Sequence, residues 1–151
     1  MRFFLSISIM FFLLLTGCAG NKVPASKFSR IDKKVGNFTK HLKESLFKAT
    51  DNGLFSIEVL LFEGNLKLGR NDFDIVIHDI SDNDVEDADI KILARMPENG
   101  IKVKPGMQYY RSGLYSVSKL ELTMPGHWEL LITVKKDHSQ DRVVFDFPNI
   151  Q

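Results

Sequence analysis

The sequence predicts an all-β fold, an antiparallel β-sandwich of about seven strands. Three observations predict it. From about residue 53 onward, apolar residues recur with a period of two, the mark of half-buried strands. Short polar turns punctuate that pattern: Gly64-Asn65, Ser81 to Asp87, Pro97 to Gly106, Pro125-Gly126 and Asp137 to Asp141. No long helical pattern separates the strand segments.

Taken in order, LFSIEVLLF (54–62) places Phe55, Ile57, Val59 and Leu61 on one face. DFDIVIHDI (72–80) turns Phe73, Ile75 and Ile77 inward and leaves Asp72, Asp74 and His78 on a wet face. ADIKILARM (88–96) alternates Ala88, Ile90, Ile92, Ala94 and Met96 against Asp89, Lys91, Leu93 and Arg95. LYSVSKLEL (114–122) offers Tyr115, Val117 and Leu120. WELLITV (128–134) buries Trp128, Leu130, Ile132 and Val134, and RVVFDF (142–147) adds Val143, Phe145 and Phe147. Residues 38–52 read two ways: Phe38, Leu42 and Leu46 have helical spacing, while Glu44–Thr50 before Asp51-Asn52-Gly53 reads as a hairpin arm. The hairpin is favoured and supplies the seventh strand.

The N-terminus sets the location. Arg2 precedes an apolar run of about 13 residues, Phe3 to Leu15, short of the ~20 a membrane-spanning helix needs and suited to a signal peptide. Leu15-Thr16-Gly17-Cys18 then resembles a bacterial lipobox. That resemblance implies cleavage before Cys18, diacylglycerol on its sulfur and a further acyl chain, such as palmitate, on the new amino group. Two or three chains anchor stably where one is marginal. The chain thus divides into a signal peptide (1–17), a lipidated Cys18 with a basic tether (18–37) and a sandwich domain (38–151). Cys18 is the only cysteine, so no disulfide framework and no catalytic thiol exist. Ala19 stands where Asp would resemble an inner-membrane retention signal, so the outer membrane is expected if the cell is Gram-negative.

The full chain has 20 basic and 19 acidic residues, and cleavage removes only Arg2 among them. The tether carries Lys22, Lys27, Arg30, Lys33 and Lys34 against Asp32, which leaves the domain acidic. The lysines suit anionic lipid heads, and the acidic domain argues against nucleic acid.

Gly113-Leu114-Tyr115-Ser116-Val117, then Met124-Pro125-Gly126-His127-Trp128-Glu129-Leu130, then DRVVFDFP resemble a YtkA-like domain across about residues 53–147. The family is related to FixH-type proteins and shares an immunoglobulin-like sandwich with some periplasmic copper proteins. The resemblance implies cytochrome oxidase maturation as one setting. Each motif residue also has a structural reason. Gly113 permits a turn, and Tyr115 can bury its ring and bond its hydroxyl to backbone. Pro125-Gly126 suits a type II turn, and Trp128 fills the core.

Copper is the sharpest chemical expectation, with Met96, Met107, Met124 and His127 as candidate ligands, because thioethers and imidazole suit that metal. The loop MPENGIKVKPGM around Met96 and Met107 lacks the histidines that family members often carry there. The acidic stretch DISDNDVEDAD (79–89) fails the EF-hand template, since Asp87 and Leu93 fall where Gly and Glu are required. No nucleophile elbow, phosphate loop or HExxH motif occurs. Tyr109, Tyr110 and Tyr115 cluster by Arg111, a composition suited to protein contacts. The expected function is therefore a non-enzymatic, lipid-anchored, periplasm-facing module that binds an envelope protein, with copper binding or delivery as the alternative.

Overall fold

The computed structural model describes residues 38, 42 and 44–151, so Cys18, the signal peptide and the tether lie outside the described residues. Two antiparallel sheets hold the strands of the described residues. The strands are β1 (Leu46–Ala49), β2 (Phe55–Leu60), β3 (Gly69–Asp79), β4 (Asp89–Arg95), β5 (Lys102–Val103), β6 (Gly106–Arg111), β7 (Leu114–Leu122), β8 (Gly126–Lys136) and β9 (Ser139–Ile150). The five-stranded sheet runs β1-β2-β3-β7-β6 and the four-stranded sheet β5-β4-β8-β9. The chain crosses between sheets after β3, β5 and β7, which gives a β-sandwich without helix among the described residues.

The core lies between the sheets. One face supplies Phe55, Ile57, Val59, Phe73, Ile75, Ile77, Tyr115, Val117, Leu120 and Leu122. The other supplies Ile90, Ile92, Ala94, Trp128, Leu130, Ile132, Val134, Val143, Phe145 and Phe147. The period-two faces read from sequence are the faces that are buried. The irregular spacing of Val117 and Leu120 has a local cause. Asp72 on β3 faces two residues of β7, a bulge in which Lys119 takes φ +58°. Asp72 caps the bulge by accepting from the Lys119 N–H at 2.7 Å. Those bonds, from Lys119 and then Arg70, hold its carboxyl below the usual range.

Three expectations need correction. Among the described residues there are nine strands, not seven: β5 is two residues inside the expected Pro97–Gly106 turn, and β6 is an edge strand with an exposed burial pattern. Neither carries the apolar alternation by which strands are read. Pro125-Gly126 is no type II turn, because Gly126 already belongs to β8 and pairs with Ile150. Its φ of +129° is far from the ~+80° of a type II turn. Finally, the face carrying His78 is wet only at one end: Asp72 is exposed and Asp74 half-buried as expected, whereas Val76 and His78 are buried there with Ser56 and Glu58 of β2. The hairpin reading of residues 44–55 holds, with β1 paired to β2 and Thr50 N–H donating to Phe55 O at 2.9 Å.

Candidate functional site

The start of β8 carries the motif that begins at Met124, and the fold explains most of it as architecture. Trp128 is buried, and its indole N–H donates to the Met124 carbonyl at 2.9 Å, so the ring closes the loop that enters β8. Tyr115 lies under the opposite sheet with its hydroxyl donating to Val85 O at 2.8 Å and accepting from Ala88 N–H at 3.2 Å. Burial first, then the charges of Asp87 and Glu86, push the Tyr115 hydroxyl above its ordinary range, opposed by the Ala88 bond. Gly113 has φ +67°, and a Cβ there would stand 2.6 Å from the Ile77 carbonyl oxygen. Ile77 N–H donates to Gly113 O at 3.0 Å, so the close approach is a bonded one.

The four expected metal ligands occupy unlike environments. Met96 is buried, its sulfur accepting from the Asn99 amide at 3.4 Å. A Cβ on Gly126 would meet its methyl at 3.1 Å, so glycine there makes room for Met96. Met107 sits on β6, the edge of the other sheet, and is partly exposed. Met124 is exposed in the loop before β8, and His127 is half-buried at the start of that strand.

What the structure gathers around His127 is a different set. His127, Glu129 and Asp146 bring one ligand atom each to within 4.8 Å of one another. Glu129 pairs across β8–β9 with Asp146, and His127 Nε2 lies 3.5 Å from Asp146 Oδ1. One imidazole and two carboxylates form an N/O donor set suited to Zn²⁺ or Cu²⁺ rather than Cu⁺. Two cations already face these carboxylates. Arg95 Nε donates to Glu129 Oε2 at 2.6 Å, and Lys48 Nζ lies 3.8 Å from Asp146 Oδ2. Sequence reading missed Glu129 and Asp146 because their partnership depends on β8–β9 register, not spacing.

The Tyr–Arg cluster divides between core and surface. Tyr109 packs on Tyr115 at 4.8 Å between ring centroids, whereas Tyr110 is 57% exposed beside exposed Arg111 on the β6 edge. The acidic stretch 79–89 is a turn closed on itself: Asp79 Oδ1 accepts from the N–H groups of Ser81 and Asn83 at 2.8 and 3.0 Å.

No protein-family model matches the chain, and no curated protein matches it either. Among solved structures, the chain is similar to a DUF4426 family protein from Pseudomonas aeruginosa PAO1, with a TM-score of 0.53 and 10% sequence identity. The match covers 73% of this chain and 98% of that one. At that identity the likeness supports the fold, a small β-sandwich domain, and nothing finer.

Proposed function

We propose that the chain is a non-enzymatic, lipid-anchored module of the bacterial cell envelope. Acylated Cys18 holds it to the membrane, residues 18–37 tether it, and the sandwich faces the periplasm to hold a partner protein. The observation that carries this reading is Leu15-Thr16-Gly17-Cys18 directly behind an apolar run too short to span a bilayer. If the cell is Gram-negative, Ala19 favours the outer membrane. The YtkA-like resemblance of residues 53–147 suggests assembly of cytochrome oxidase or another envelope protein as the setting.

The β6 edge supports the partner half of the reading. An edge strand offers unpaired backbone groups that a partner strand can extend. Exposed Tyr110 and Arg111 are residue types enriched where interfaces are energetically strongest. Growth with labelled palmitate tests the anchor. The account expects label on the wild-type chain and none on Cys18→Ala, and an unlabelled wild-type chain contradicts it.

A second reading, copper binding or delivery, is favoured by one observation, the convergence of His127 with Glu129 and Asp146. Exposed Met124 three residues before His127 offers a thioether at the same end of β8. Titration with Cu²⁺ followed by electron paramagnetic resonance tests it. One saturable nitrogen-coordinated signal lost in His127→Ala supports this reading, and an unchanged signal in that variant removes it.

A further inference from the structure

The two sides of the sandwich are finished differently. On one side β1 and β9, each the last strand of its sheet, are tied across the layers. Lys48 Nζ donates to the Val144 carbonyl at 2.8 Å, and the Asp51 N–H donates to the Arg142 carbonyl at 2.7 Å. On the other side β5 and β6 end their sheets, each with a neighbour on one flank only. β5 is blunted as natural edges are: it is two residues long and runs into Lys104-Pro105. β6 is not. It has six residues, no proline, and no charge before Arg111 at its end. The bulge at Tyr110 leaves residues 106–109 in continuous register with β7, so their outward backbone groups stay in line.

The core is thinly covered on this side. Ile101, Val103 and Tyr109 pack against it half-buried, and Met107, in register with buried Val117, is exposed. The charge there has one sign. Residues 101–111 contain Lys102, Lys104 and Arg111 and no acid, in a domain that is acidic as a whole. None of these three cations forms an ion pair among the described residues. Glu86 and Asp87, which act on the Tyr109 hydroxyl, pair with none of them.

Free backbone groups, a half-covered apolar margin and unpaired positive charge call for one kind of occupant. We propose that the β6 edge takes up an extended acidic segment of a partner protein as a sixth strand of the five-stranded sheet. In such an addition backbone bonds supply affinity and alternate side chains supply specificity. Apolar residues of the segment cover Met107 and Tyr109, and acidic residues between them meet Arg111. Lys102 and Lys104 add to the field that draws the segment in. This inference rests on the partner-binding half of the function proposed above and adds the chemistry of the partner.

The test is a titration of the isotope-labelled full chain in detergent micelles with two end-blocked peptides as long as β6. One alternates Val and Glu, the other Val and Lys, and amide shifts and amide hydrogen exchange are read. The Val-Glu peptide should move the amides of residues 106–111 saturably, slow their exchange and bind more weakly as salt rises. Arg111→Glu should lower that affinity about tenfold or more, and Lys135→Glu, the same charge change on the other sheet, should leave it unchanged. Arg111 is exposed, so its variant folds. Equal binding of the two peptides, or no shift at β6, overturns the proposal. Shifts confined to another surface overturn it too, and they leave the partner-binding reading standing. Protection of β6 that grows with protein concentration alone assigns the edge to a second copy, and protection gained only in phosphatidylglycerol vesicles assigns it to lipid. Either result overturns the proposal, whereas loss of the lipid anchor reading would leave every one of these outcomes unaffected.

Discussion

The Thr50 hydroxyl donates to Asp141 Oδ2 at 2.6 Å, and that bond ties the β1–β2 turn of one sheet to β9 of the other. The same carboxylate also accepts from the Asn52 N–H at 2.9 Å, the Asn52 side-chain amide at 3.0 Å and the Arg142 N–H at 2.9 Å. Asp141 is buried, yet its charge is met by donors from both sheets.

Asp141→Ala should therefore cost about 2–4 kcal/mol, because several buried donors lose a charged acceptor together. Chemical denaturation at neutral pH measures it. A loss below about 0.5 kcal/mol would show that the cross-sheet tie contributes little.

The same residue sets an acid dependence. Burial alone raises the Asp141 pKa, but the bonds from Thr50, Arg142, Leu54 and Asn52 outweigh it and bring the net value below normal. A depressed folded value means the stabilisation is present above the unfolded pKa of ~3.9 and is lost as pH falls through the folded value. Thermal melts of the wild type should fall steeply below about pH 4. Asp141→Asn should flatten that fall in part, since hydrogen bonds depress Asp72 and Asp79 as well. Parallel melting curves for the two proteins across that range would refute the assignment.

Gly113→Ala and Gly64→Ala separate two costs of leaving glycine. Both positions have positive φ, +67° and +76°, but only at Gly113 does the added Cβ meet backbone, the Ile77 carbonyl at 2.6 Å. Gly64→Ala should cost about 1 kcal/mol from φ alone, and Gly113→Ala should exceed it by about 1–3 kcal/mol. Equal losses would mean that the close approach is easily relieved.

Trp128→Ala should lose about 3–5 kcal/mol, the cost of emptying a large core site. Met124→Ala should lose far less, because the indole bonds the Met124 backbone and that side chain is exposed. A melt in which the two variants lose the same amount contradicts the core role of Trp128.

Much of this fold was legible because burial and strand period coincide. Phe73, Ile75 and Ile77 alternate in sequence and are the residues that the core contains. The readings that failed had no such signal. Lys102–Val103 is too short for a period, and β6 sits at an edge where alternation does not pay in burial. His78 looks like part of a solvated face because polar residues usually are, and its burial beside Ser56 and Glu58 carries no signal in the strand period. The Tyr115 hydroxyl bond was foreseeable from chemistry alone, since a buried phenol needs a partner. The grouping of His127 with Glu129 and Asp146 was not, because it needs the β8–β9 register.

The central claim is the lipid anchor, and fractionation of cells expressing the wild type and Cys18→Ala tests it most directly. The account predicts the wild-type chain in the membrane pellet and the variant depleted from it. A variant that stays in the membrane pellet as fully as the wild type would contradict the account.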